Sequence, residues 1–167
     1  MILSFYGAAR EVTGSSYYLN MSGKNVLIDC GMEQGRDVYE NEELPVSPSE
    51  IEYILLTHAH LDHSGLIPLM YARGFRGKIY ATKATSNLCD IMLRDSAHIK
   101  EFEAEWSNRK AKRSGNEEVV PLYTTEDAIH ALTLFVPCEY HKDIPIFDGL
   151  SIKFYDAGHL LGSSSIE

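Results

Sequence analysis

Three histidines and an aspartate fall within six positions in "THAHLDHSG", Thr57 to Gly65, directly behind the apolar run "YILL". A core strand has no use for them, but a metal ion does. His58 and His60 are two apart, so on extended backbone their side chains point the same way and can converge on one ion. Asp62 and His63 follow as the chain turns out of the strand, and could serve a second metal a few ångströms away. The spacing is not that of HExxH, which aligns two histidines on one helical turn. Here a strand and a loop must do the aligning. A second strand end, "YDAGHLLGSS", carries Asp156 and His159, and His159 is the candidate third nitrogen ligand of the first metal. Asp29 ends "VLIDCG"; the alternatives for it are a support that accepts hydrogen bonds from the histidine loop, or an aspartate opening a turn with Gly31.

The elements that must position these residues read as mixed α and β. "ILSFYG", "SSYYLNM" and "NVLIDCG" are short strands joined by glycine-bearing turns. Met32 to Glu50, with Pro45 and Pro48, reads as a connecting loop. "IEYILLT" is apolar enough for a strand buried on both faces. "SGLIPLMYARGF" reads as a short helix ending at Gly74, and "GKIYAT" as the next strand, which makes a βαβ unit. A long helix is expected from Thr85 to about Arg113, with Leu88, Met92, Ile99, Phe102 and Trp106 as its core-facing stripe and Asp95 interrupting it. A second helix should run from Thr125 to about Phe135. "IPIFDG", "LSIKFYDAGH" and "SSSIE" return to β.

The 167 residues suit one domain with a real core, at 44% hydrophobic and 23% charged. No apolar run reaches membrane-spanning length and no signal peptide is evident, so a cytoplasmic protein without membrane contact is expected. Three widely spaced cysteines, Cys30, Cys89 and Cys138, read as buried, reduced thiols. A net charge of −9 argues against a free-standing nucleic-acid binder without excluding a nuclease. The dense basic run "RKAKR", Arg109 to Arg113, is either a solvated helix end or a phosphate contact. "GAAREVTGSS" lacks the GK[ST] ending of a P-loop and reads as a turn near the rim of the metal site.

The motif "THAHLDHSG" resembles the HxHxDH signature of the metallo-β-lactamase superfamily. "GAAREVTGSSYYL", "LIDCGMEQG", "LTHAHLDHSGLIPLM", "GFRGKIYATKAT", "MLRDSAHI", "PLYTTEDA" and "DAGHLLGSSSIE", in that order, resemble its β-CASP branch of RNA-processing nucleases. The resemblance implies an α/β fold: the N-terminal part of an αββα sandwich, a mixed sheet with flanking helices. Residues 1–167 would be an incomplete metallo-β-lactamase domain, with the β-CASP domain and a metal-bridging aspartate lying beyond Glu167. It implies zinc-dependent hydrolysis of RNA phosphodiesters by the full-length protein, with these residues alone inactive or nearly so. His58, His60 and His159 match ligands of one zinc, Asp62 and His63 ligands of a second, and Asp29 a supporting aspartate. A water bridging the two zinc ions would attack phosphorus, and the general acid would come from outside this chain. His98, His130 and His141 match no catalytic motif. The rivals are a small-molecule hydrolase sharing HxHxDH, a di-iron redox protein (disfavoured by His60) and a metal-free scaffold subunit. DNA is an alternative substrate. An uncovered sheet edge would further favour self-association or strand exchange between copies.

Overall fold

Six residues on three neighbouring strands show how the central sheet is built. Leu27, Ile54 and Ile79 pack into one buried cluster, whereas Val26, Leu55 and Tyr80, each next to one of them in sequence, pack into another. Successive side chains of a strand point to opposite faces, so an unbroken apolar run is what a sheet covered on both sides requires. The computed structural model describes residues 1–35, 43–114 and 117–167. The expected Met32–Glu50 loop lies partly outside them; its described end carries a single 3-10 turn at Pro48–Glu50.

The sheet holds six strands in the order β1 (Ile2–Gly7), β2 (Ser16–Met21), β3 (Lys24–Ile28), β4 (Tyr53–Leu55), β5 (Lys78–Thr82), β6 (Phe135–Cys138). The first three are antiparallel neighbours; β3 to β6 run parallel. Parallel neighbours need long crossovers, and helices supply those from β4 to β5 and from β5 to β6. Between β4 and β5 lie α1 (Leu61–Ser64) and α2 (Ile67–Ala72); between β5 and β6 lie α3 (Lys83–Ser114) and α4 (Thr125–Leu132). Ile67 and Met70 of α2, Cys89, Leu93 and Ala97 of α3, and Ala128 and Ala131 of α4 cover one face of the sheet. Two hairpins, β7 (Ile144–Phe147) with β8 (Leu150–Ile152) and β9 (Phe154–Asp156) with β10 (Ser164–Ile166), lie on the other side. Ile146, Ile152 and Phe154 join the core there.

Four expectations about elements need correction. Ile99, Phe102 and Trp106 are exposed; α3 turns small residues inward instead, Cys89, Ala97, Ala104 and Ala111 with Leu93. Small side chains let a helix axis lie close to the sheet, and the bulkiest apolar groups are left outside. The short helix expected in Ser64–Phe75 is present but ends at Ala72, two residues before Gly74, and a separate one-turn helix, Leu61–Ser64, precedes it. The helix at Thr125 stops at Leu132, and Phe135 opens β6, a strand the sequence reading missed. "LSIKFYD" is broken at Lys153 into β8 and β9. The start of α4 is as expected: Thr124 caps it, accepting from the Asp127 amide, with Glu126 and Asp127 in the first turn. Cys30, Cys89 and Cys138 are free and buried, and burial pushes all three thiols up, Cys89 to about 12.

Candidate metal centre

The parallel strands β3 and β4 deliver Asp29 and Thr57 side by side just past their ends. Asp29 takes a left-handed backbone conformation, φ +57°, which aspartate tolerates better than most residues, and its side chain is almost wholly buried. Its carboxylate accepts from the Thr57 amide at 2.8 Å, the Thr57 hydroxyl at 2.9 Å, the Ser15 hydroxyl at 3.2 Å and His63 Nδ1 at 2.7 Å. Ser15 closes the "GAAREVTG" loop onto the same place, its amide donating to the Asp62 carbonyl at 2.8 Å. Gly31 makes the approach feasible: a Cβ there would lie 1.8 Å from the Asp62 carbonyl oxygen and 2.6 Å from the Ser15 nitrogen.

His58 follows Thr57, and His60 stands at the start of α1, a four-residue helix that carries Asp62 and His63. The third histidine arrives from the turn between β9 and β10. That turn is anchored by Thr82 and Thr85, whose hydroxyls donate to the Gly162 carbonyl at 2.7 and 2.8 Å, and by the Tyr140 hydroxyl on the Ser163 carbonyl. Gly162 lies so near α3 that a Cβ would sit 2.4 Å from the Thr85 nitrogen. The result is a triangle of imidazoles: the His58, His60 and His159 ring centroids are each 5.0 Å apart, and His60 Nδ1 lies 3.3 Å from His159 Nε2. One nitrogen from each comes within 4.8 Å of the others, so the three could hold a metal ion. His63 lies beside them, its ring centroid 4.0 Å from that of His58 and its Nε2 3.6 Å from Asp62 Oδ2.

The electrostatics suit metal ligands. Burial, and next the neighbouring His63, push His58 down to about 4, so at neutral pH it offers a lone pair rather than a charge. Burial also opposes charge on His63, but the hydrogen bond and charge of Asp29, with Asp62, outweigh it and hold His63 above the usual imidazole value. Three imidazoles at one point, with a carboxylate nearby, form a donor set that suits zinc, copper, iron or nickel better than calcium or magnesium. Among the described residues, no buried side-chain nitrogen or oxygen lacks a hydrogen-bond partner.

The profile of the family described as "Metallo-beta-lactamase superfamily domain" matches residues 18–166. The chain belongs to the metallo-β-lactamase superfamily. Among its superfamily relatives it is 38% identical over 162 residues to a ribonuclease of Thermus thermophilus, covering 96% of this chain and 33% of that protein. It is 32% identical to the transcription termination factor FttA of Methanocaldococcus jannaschii, covering 97% of this chain and 24% of the relative. Integrator complex subunit 11 of Danio rerio is 28% identical, with 96% and 26% covered. The chain thus spans between a quarter and a third of the length of these relatives. In fold it is similar to a subclass B3 metallo-β-lactamase from a soil metagenome library, with a TM-score of 0.56 at 16% identity over 98% of this chain and 53% of that one. The central mixed sheet with flanking helices observed here matches part of that superfamily fold.

Sequence reasoning missed Thr57, Ser15, Thr82, Thr85 and Ser164. A hydroxyl residue directly before the first histidine was the one local signal available. The others act across 14 to 107 residues and leave no mark in any short window.

Proposed function

We propose that the full-length protein hydrolyses RNA phosphodiester bonds at a zinc centre, and that this chain contributes the first metal's three histidines. The convergence of His58, His60 and His159, next to a His63–Asp62 pair held by Asp29, is the observation that carries this reading. The relative named as a ribonuclease favours RNA as the substrate. When bound, zinc supplies Lewis acidity and an activated water at neutral pH. His58, His60 and His159 would hold one ion, and Asp62 with His63 would contribute to a second. Asp29 fixes the orientation of His63, and Ser15 ties the end of the glycine-bearing loop to the Asp62 carbonyl. The bridging aspartate and general acid are assigned to sequence past residue 167, with the β-CASP domain, so residues 1–167 alone are expected to cut poorly or not at all.

The test is metal content by mass spectrometry together with cleavage of a labelled RNA, on this chain and on the full-length protein. Two zinc ions and cleavage in the longer protein support the reading. A longer protein that binds no metal and cuts nothing would move the assignment to a scaffold subunit. Turnover of β-lactams or thioesters in place of RNA would move it to a small-molecule hydrolase.

Self-association belongs to the same proposal. Strand β1 is a sheet edge, and its Ile2 and Phe5 are 66% and 62% exposed. Light scattering of this chain at rising concentration should show dimers or larger species; a strict monomer would overturn the idea. No helix among the described residues is long and apolar enough to cross a membrane.

A further inference from the structure

Thr57 touches three parts of the centre at once. Its hydroxyl lies 2.9 Å from both Asp29 carboxylate oxygens and 3.0 Å from His58 Nδ1. Its carbonyl accepts from the Ser164 amide at 2.9 Å and the Ser164 hydroxyl at 3.0 Å, at the start of the strand that follows the His159 turn. A hydroxyl has one proton to give. Were it given to His58, lone pairs of the Thr57 oxygen would face two carboxylate oxygens at 2.9 Å with no proton between them. Given to Asp29, it leaves the Thr57 oxygen as an acceptor, and His58 must then carry its proton on Nδ1. We infer that Thr57 is a positioning residue that relays the orienting pull of Asp29 to His58, fixing the Nδ1–H tautomer and leaving Nε2 as the lone pair offered to the metal.

Asp29 thereby orients one histidine of each proposed zinc: His63 directly through Nδ1 at 2.7 Å, and His58 through one intervening hydroxyl. Partners that hold the far nitrogen of a ligating histidine set both its tautomer and its ring angle, and losing them typically weakens metal binding about 10- to 100-fold. The backbone of Thr57 adds a second tie. By accepting twice from Ser164 it joins the strand end bearing His58 to the hairpin bearing His159.

This inference rests on the metal-centre reading, and its experiment separates the two. Long-range nitrogen–proton NMR on the metal-free chain reads the His58 tautomer directly, and zinc affinity is measured by chelator competition on the same samples. The wild-type chain should show His58 protonated on Nδ1. Thr57→Val, which keeps the shape and removes the hydroxyl, should mix the tautomers and weaken zinc binding by at least tenfold. Thr57→Ser should restore both, which a packing role for the threonine methyl would not produce. A wild-type His58 protonated on Nε2 overturns the inference whether or not any variant folds. So does a Thr57→Val chain that keeps the Nδ1–H tautomer and binds zinc as tightly as wild type. If the wild-type chain binds no zinc, the metal reading fails on its own measurement, while the tautomer still decides the role of Thr57.

Discussion

The surroundings of Asp29 and the outer half of α3 are built on opposite terms. Around Asp29 the contacts are polar and specific: four donors, from Thr57, Ser15 and His63, meet one almost wholly buried carboxylate. The outer half of α3, from Lys100 on, turns Phe102 and Trp106 to solvent, buries only Ala104 and Ala111 among its described side chains, and carries exposed pairs such as Arg109 with Glu105. Such pairs contribute about 0–1 kcal/mol each. The difference teaches where this chain puts its specification. A polar cluster under a catalytic candidate is exacting, whereas a helix can run for turns beyond the sheet on propensity and a few small contacts.

Substitutions on the two sides should diverge accordingly. Asp29→Ala in the metal-free chain leaves His63, Thr57 and Ser15 without their acceptor, and should cost roughly 3–5 kcal/mol, read by urea unfolding. A loss below 1 kcal/mol would mean that water replaces the carboxylate and the cluster is less exacting than its geometry. On α3 itself, Leu93→Ala, in the inner half where Leu93 is fully buried, should cost about 2–5 kcal/mol. Phe102→Ala in the outer half should stay within about 0.5 kcal/mol in the same assay. Equal effects at the two positions would erase the distinction between the halves.

The polar cluster has a signature in pH. In chelator-treated protein, ring signals of His58 should shift near pH 4 and those of His63 above 6.5. For His58 the unfolded chain takes up a proton between 6.5 and 4 that the folded chain refuses, so its contribution falls as pH drops through that window. The His63 contribution has the opposite sign. Its stabilisation is complete below the ordinary imidazole value and fades as pH rises through the raised folded value. Superimposed titrations of the two rings would show that Asp29 does not distinguish them.

What could be read in advance divides along the same line. His58 and His60 were legible because i, i+2 spacing has a geometric meaning on extended backbone. Asp29 could be placed at a strand end, but not its three partner residues, because Ser15, Thr57 and His63 reach it across separate stretches of chain. On α3 Leu88 and Met92 pack against the core as expected, but Ile99, Phe102 and Trp106 were misread because size was taken as a proxy for burial, and Cys89 and Ala97 carry little hydrophobic signal although they pack in the core cluster. Strand β6 was hidden by Pro137. Proline in a strand argues against a central position, and β6 is indeed the last strand of its sheet.

The Thr57–Ser164 tie also sets an order of events. It closes across 107 residues, and His60 meets His159 across 99, so neither contact can form until almost all of this chain is available. Loop closure at such separations is entropically costly and slow compared with local pairing. A partly folded chain can present His58 and His60 from one short segment, but it holds only two of the three nitrogens. An ion that prefers the completed triangle would shift the equilibrium toward the chain that has docked its last hairpin. Metal capture would then hold the β9–β10 hairpin, and with it His159, against the strand end that carries His58 and His60.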